Sequence, residues 1–321
     1  MTDVLDPTVR EIYNDRRDEL SANLKYKALG LVDKDAELPN EIITGVTGVG
    51  KGGLTVELQQ YAANERYRDY SSQLTLRKYT SELYWSEEDV HFLQKASRTK
   101  RAQEINDMAD GAAQALNYNI DEDVAKFFYL GFGTTFFTGG DAKALLATDH
   151  PTRKPGASAQ SNVPPTTHFV FNADNLITMI ERMDRFKGMN DIQIEPTSDL
   201  VVLHSLELDD TVDRVLNSEF GPDSANLGLN PGSTKGFNRR GKKISHRVIE
   251  YMPSGYSTYW FVVDMKRASR AAFLYWGWKP RMASDTDTRK GAFYNDSSVL
   301  FGPHARHWRW ISGSKGDATS V

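Results

Sequence analysis

The chain of 321 residues contains no cysteine, and that one absence removes disulfides, thiol nucleophiles and thiolate metal sites together. It fits an origin in a reducing cytosol. Long apolar runs are also missing: no stretch approaches the roughly 18 residues that a membrane-spanning helix needs. The opening Met1-Thr2-Asp3 has neither the basic segment nor the apolar core of a secretory signal. Neither sign of charge dominates. The 39 Lys and Arg face 43 Asp and Glu, a formal net charge of −4, which argues against a dedicated nucleic-acid or membrane binder. What is present, 39% hydrophobic and 26% charged residues, describes a folded chain long enough for two domains or one elongated body.

Catalytic signatures are equally scarce. There is no G-x-S-x-G elbow, and the carboxylates follow no paired pattern. His304 and His307 have a spacing that could share a metal on a helix, and His150 stands beside Asp149, but neither set has a third ligand at a telling distance. Asp285 and Asp287 read as a solvated turn. No catalytic residue, metal site or cofactor is therefore assigned. Gly45-Val46-Thr47-Gly48-Val49-Gly50-Lys51 matches most of a phosphate-binding loop, and Phe261-Val262-Val263-Asp264 imitates the acidic strand that accompanies one. Gly52 stands where the magnesium-binding hydroxyl belongs, and the following residues alternate like a strand, so the strand-loop-helix context is missing. A glycine-rich hairpin tip is the better reading; a nucleotide-binding enzyme using Gly45 to Lys51 is the alternative from another functional class.

The strongest local pattern is a helix over Ser86 to Leu116. Ser86 and Asp89 suit a capping box, with Trp85 and Val90 at the staple positions. Ala102, Ile105, Ala109, Ala112 and Leu116 then recur on one narrow face of small residues, as in a strut that touches a core along a single stripe. Gly111 in mid-helix suggests a close backbone approach. Before this helix, Asp6-Pro7 opens a helical arm carrying Val9, Ile12, Tyr13, Leu20 and Leu24, and residues 31–39 read as a polar linker. Leu54, Val56 and Leu58, then Leu74 and Leu76, alternate as strands with too little apolar surface to stand alone in water.

Past the strut, Asn119 or Asp121 is expected to cap a second helix ending at Gly131, and Thr134 to His168 is irregular. Asn172 or Asp174 caps a helix running to Gly188, Leu200 to Leu203 forms a buried strand, and Ser205 caps the next helix. Strands follow at Ile244–Tyr251 and Tyr259–Asp264, and Val299–Ile311 has aromatic strand character through Trp308, Arg309 and Trp310. Two basic clusters stand out: Arg98, Lys100 and Arg101 on the strut, and Arg239, Arg240, Lys242 and Lys243 in a glycine-flanked loop. Either could touch phosphates or an acidic surface.

This order of parts resembles the major capsid protein of tailed bacteriophages, the Hong Kong 97-type fold, in the branch of Mu-like head subunits. The resemblance spans about residues 80 to 311 and rests on Leu145-Leu146-Ala147-Thr148-Asp149-His150-Pro151, Ile194-Glu195-Pro196, Leu200-Val201-Val202, Val215-Leu216-Asn217-Ser218 and Tyr259 to Asp264. It implies an α+β fold with an N-terminal arm (1–43), an extended β-hairpin loop (44–85), a peripheral domain with the spine helix (86–165), an axial domain (166–280) and peripheral return strands (281–321). It further implies hexamers and pentamers closing a shell around double-stranded DNA. Gly50, Lys51, Tyr61, Tyr67 and Tyr70 would contact an adjacent subunit. Arg98, Lys100 and Arg101 would face the genome. Portal, scaffold and cement proteins are the expected further partners, the virion is the expected location, and an opening at Met1 suggests that no scaffolding segment is removed. An encapsulin-like compartment is the alternative within the same fold.

Overall fold

The apolar steps that predict the long helix are realised as two helices. The computed structural model describes residues 11–20, 24–49, 66–95, 97–217, 243–287 and 292–321. Helix α1 covers residues 11–20, and α2 is Glu87–Lys95. At the start of α2, Ser86 donates from its backbone and hydroxyl to Asp89, and the Asp89 amide donates back to Ser86 Oγ, the reciprocal bonding of a capping box. Ser97 then caps a second start by accepting from the Lys100 amide, and α3 runs from Arg98 to Tyr129. The expected break near Asn119 does not occur. Leu116, Ile120, Val124 and Phe127 continue the buried stripe at steps of four and three, so nothing stops the helix there. At 32 residues, α3 spans about 48 Å.

The narrow stripe of small residues has a specific cause. Tyr13 of α1 is fully buried in one apolar cluster with Ala109, Ala112 and Ala113 of α3, where larger side chains would leave no room for the ring. Gly111, by contrast, has nothing among the described residues within 4 Å of where a Cβ would stand, so none of them makes the expected close approach.

Strands β1 (Val32–Asp35), β2 (Ile42–Val49), β3 (Arg66–Gln73) and β4 (Arg77–Ser86) lie between α1 and α2. Residues 31–39 are therefore not merely a linker. β1 pairs parallel with β8 (Ala272–Asp287), Val32 opposite Phe273 and Asp35 opposite Trp276. Its hold is polar: Asp33 accepts from the Tyr26 hydroxyl and, at 2.9 Å, from the Trp276 indole, which hydrophobic patterning does not reveal. The first sheet is completed by β9 (Ala292–Ala305) in the order β1-β8-β9-β4. Asp285 and Asp287 lie within β8, paired with Tyr294 and Ala292, rather than in a turn. Register shifts between Trp276 and Arg281 bend this long hairpin, and a Cβ at Gly277 would stand 2.4 Å from Leu300 Cδ2, so a larger residue there would force the Leu300 side chain to move.

β2 and β3 form a separate antiparallel ladder. Leu74 and Leu76 belong to neither ladder strand; they join β3 to β4, and Leu74 is buried with Ile43, Phe273 and Tyr275. The alternation there records burial at a crossover.

The second sheet has the order β10-β7-β5-β6, with β5 (Asp199–His204), β6 (Lys243–Val248), β7 (Trp260–Asp264) and β10 (Ile311–Ser314). β5 and β7 are buried almost throughout, as their continuous apolar runs require. Helix α4 (Ala173–Asp184) is capped by Asn172 and ends four residues short of Gly188, and α5 (Asp209–Asn217) buries Val212, Val215 and Leu216. Ser205 does not cap α5; its hydroxyl donates to the Ser257 carbonyl, and a short turn over Leu206–Leu208 intervenes. α6 (Met265–Ala271) follows β7 directly.

Trp308, Arg309 and Trp310 form a buried turn between β9 and β10, closed by Ile311 donating to Trp308 O at 3.2 Å, instead of a strand. Trp310 meets Phe127 with ring centroids 6.4 Å apart and Phe128 at 6.2 Å. The end of α3 thus enters a core shared by both sheets, which includes Leu274, Val299 and Phe301 of the first and Val202, Phe261 and Ile311 of the second. Asn162 is one anchor of the irregular connection after α3. Fully buried, it accepts from the Ala147 amide and donates to Leu145 O and Ile311 O, which fixes the Leu145 to Pro151 motif against β10.

Two substitutions test this packing. Phe127→Ala should cost about 3–5 kcal/mol in urea denaturation because it empties the shared core. Gly111→Ala should stabilise by up to about 1 kcal/mol; a loss would mean that something does press on that backbone.

Candidate functional site

The phosphate-loop reading fails on backbone geometry. Gly45 to Val49 lie in β2 and pair with β3, so they form a strand where a phosphate cradle needs a loop ahead of a helix. Gly50 and Lys51 lie outside the described residues. Asp264, the imitation of the acidic partner, caps α6 through the Lys266 and Arg267 amides and pairs with Arg267. Gly45 has a different purpose. A Cβ there would stand 2.9 Å from Asp69 Cβ, and the Asp69 carboxylate must cross this point to meet Arg309 Nη1 at 3.0 Å.

That buried pair is one wall of a cleft of about 400 Å³ lined by Lys266, Arg267, Arg270, Arg306 and Arg309, with Asp69, Glu195 and Asp264 as the carboxylates. The five cations exceed the three acids, each of which is engaged: Glu195 with Lys266 at 2.8 Å, Asp264 with Arg267 at 3.4 Å and Asp69 with Arg309. The Nη2 of Arg309 and the Nε of Arg306 are buried without a hydrogen-bond partner among the described residues. The chemistry on offer is recognition of an anionic group by fixed guanidiniums. Sequence reading missed this cleft because its residues come from four separated segments and share no spacing.

The histidines nominated by sequence spacing are structural in placement. His304 lies in β9, hydrogen-bonded at 2.8 Å to Ser72 and in edge contact with Phe137 and Tyr275. No helix joins it to His307, so the metal spacing has no meaning here. His150 turns away from Asp149, bonds Asp141 at 2.7 Å and stacks on Trp308 at 4.3 Å. Burial, and then the Arg306 guanidinium, push His304 down to about 4.

A solved structure from Mycobacterium phage Patience matches over 95% of this chain and 87% of its own, with a TM-score of 0.52 and 15% identity. The chain has the fold of that phage structure. Lower scores relate it to the capsid of a native GTA particle (0.49; 14% identity; 89% and 88% covered) and the capsid of Myoviridae phage XM1 (0.48; 14%; 91% and 91%). No family model and no curated protein matches the sequence.

Within this phage-type fold, the sequence-nominated contact residues fall as follows. Tyr61 lies outside the described residues, Tyr67 is in β3, and Tyr70 is half-buried with the Arg153 guanidinium 4.4 Å over its ring. Lys100 is exposed near the start of α3, and Arg98 and Arg101 belong to the same opening turns of that helix. Arg239, Arg240 and Lys242 lie outside the described residues, and Lys243 begins β6. Sequence reading also missed an exposed aromatic group: Tyr84, paired with Tyr294 at 6.5 Å, and Phe92 on the adjoining helix α2. Among the described residues no helix is long and apolar enough to cross a membrane.

His304 supplies a pH test. Its folded-state value of about 4 lies below the ordinary 6.5, so the unfolded chain binds the proton first and stability falls as pH drops from about 6.5 towards 4. Urea stability of the native protein should exceed that of His304→Gln at pH 7, with the gap shrinking by roughly 1–3 kcal/mol by pH 4.5. A constant gap would show that His304 titrates normally.

Proposed function

We propose that this protein is a major capsid subunit of a tailed bacteriophage, with a Hong Kong 97-type fold, whose function is to assemble into the hexamers and pentamers of an icosahedral shell around double-stranded DNA. The observation that carries this reading is the fold correspondence with the Patience structure along nearly the whole chain. Support comes from the order of the sequence motifs and from the β2–β3 ladder. Such a two-stranded ribbon is marginal alone in water and gains stability by lying on another surface. In this reading the residues ahead of β1 are an arm, the β2–β3 ladder is the extended loop across the next subunit, the sheet β1-β8-β9-β4 with α2 and α3 is the peripheral domain, and the sheet β10-β7-β5-β6 with α4 and α5 is the axial domain.

The subunit performs no reaction; its free energy of association is spread over many contacts, with aromatic residues such as Tyr84 and Phe92 as natural anchors. Portal, scaffold and cement proteins are further partners, and the virion is its destination.

The purified protein should form closed shells, tubes or ring-shaped capsomers in negative-stain electron microscopy, with matching fast-sedimenting species. A monomer that stays monodisperse even when co-expressed with the other head proteins of its genome would overturn the assignment.

DNA contact is expected to be electrostatic and independent of sequence. Replacing Arg98, Lys100 and Arg101 with Glu should leave shells intact and reduce the DNA they enclose; unchanged packaging would mean that this part of α3 does not face the genome.

A further inference from the structure

Outside the cleft, the fold brings together three metal-ligating side chains that the sequence scatters. His204 ends β5 and His246 lies in the parallel neighbour β6, forty-two residues away. In the ladder His204 is opposite Val248 and His246 opposite Val202, so the two histidines are diagonal neighbours on one face of the sheet. Asp209, the first residue of α5, returns over them through the short turn at Leu206–Leu208.

The three candidate donor atoms form a triangle. His204 Nε2 is 3.2 Å from His246 Nδ1, and Asp209 Oδ1 is 3.7 Å from the first and 3.6 Å from the second. The carboxylate distances are too long for good hydrogen bonds. They suit a shared ion, because tetrahedral zinc with bonds of about 2.0–2.2 Å separates its ligands by roughly 3.3–3.6 Å.

The surroundings agree. His204 is fully buried, and its Nδ1 lies 2.8 Å from the Ser205 carbonyl. A carbonyl only accepts, so Nδ1 carries the proton and Nε2 presents its lone pair to the triangle, the outer-shell arrangement that orients metal-binding histidines. On the far side of His246, Asp213 Oδ1 is 3.7 Å from Nε2, a nearby negative charge that is beyond good hydrogen-bond distance. His246 and Asp209 are partly open to solvent, which provides an entry path and room for a further ligand.

We propose that His204, Asp209 and His246 bind one divalent transition ion of the zinc type, with a coordination position left for water. Binding pins the start of α5 to the β5–β6 edge and closes the turn between them. The inference rests on this triangle alone and is independent of the shell reading.

Untagged full-length protein, stripped with chelator and titrated with Co²⁺, tests it. One equivalent should bind and give the intense visible absorption of four-coordinate cobalt, and Zn²⁺ should displace it. His246→Ala and Asp209→Asn should each weaken binding at least about tenfold with far-UV circular dichroism unchanged, whereas the exposed His91 replaced by Ala should leave it intact. Absence of the absorption in the native protein, or binding that survives His246→Ala and Asp209→Asn together, would overturn the proposal.

Discussion

The architecture depends on burial of the last three turns of α3 between two sheets that otherwise have separate strand orders. Phe127 and Phe128 each bring an aromatic ring to Trp310, and Phe128 also reaches Phe261 at 5.9 Å. Burying side chains of this size contributes about 1.5–3 kcal/mol each, enough to fix the helix axis relative to both sheets. A second tie reinforces the first. The nearly inaccessible Asp123 accepts from the Tyr79 hydroxyl at 2.7 Å and lies 3.4 Å from Arg77 and 3.3 Å from Lys126, so the same helical turns hold β4 through charge as well as apolar contact. The N-terminal half of α3 is held more lightly, by Ile105 against Trp85 and by the alanine stripe around Tyr13.

The β2–β3 ladder follows the same plan on a smaller scale. Its root is fixed by the Asp69–Arg309 pair, the Ser72–His304 hydrogen bond and the buried Leu74. Removing one partner of a buried ion pair costs far more than the pair contributes net. The pair therefore makes the direction of the ladder specific more than it adds stability. Gly45 belongs to this device, since only the absence of a side chain lets Asp69 reach across.

Legibility from sequence follows the range of the forces involved. Helix faces and buried strands were readable because their cause is local: the Ser86 box, the Ala109 to Leu116 stripe, the Asn172 cap and the apolar runs at Leu200 and Trp260 all state their burial in their spacing. Boundaries failed where the deciding interaction came from elsewhere. Residues 31–39 look like a linker because β1 is held by Asp33 reaching Tyr26 and Trp276, and Trp308 to Trp310 alternates like a strand because three large side chains fill a turn. The basic cleft and the His204–Asp209–His246 triangle had no signal in spacing, since each is assembled by strand register across long separations. The family resemblance carried the fold further than periodicity could, because an order of weak motifs is informative where each motif is not.

The strand pairing also sets a timetable for folding. β1 is hydrogen-bonded to β8, Val32 opposite Phe273, and β4 to β9, Arg77 opposite Phe301, while β7 waits for β10 at Ile311–Ser314. The first sheet cannot be completed before β9 has left the ribosome, nor the second before β10. Pairings this distant in sequence make folding slow, because loop closure comes before the contacts that repay it. Until β9 and β10 have both emerged the two sheets are unfinished, and any contact that needs them is postponed.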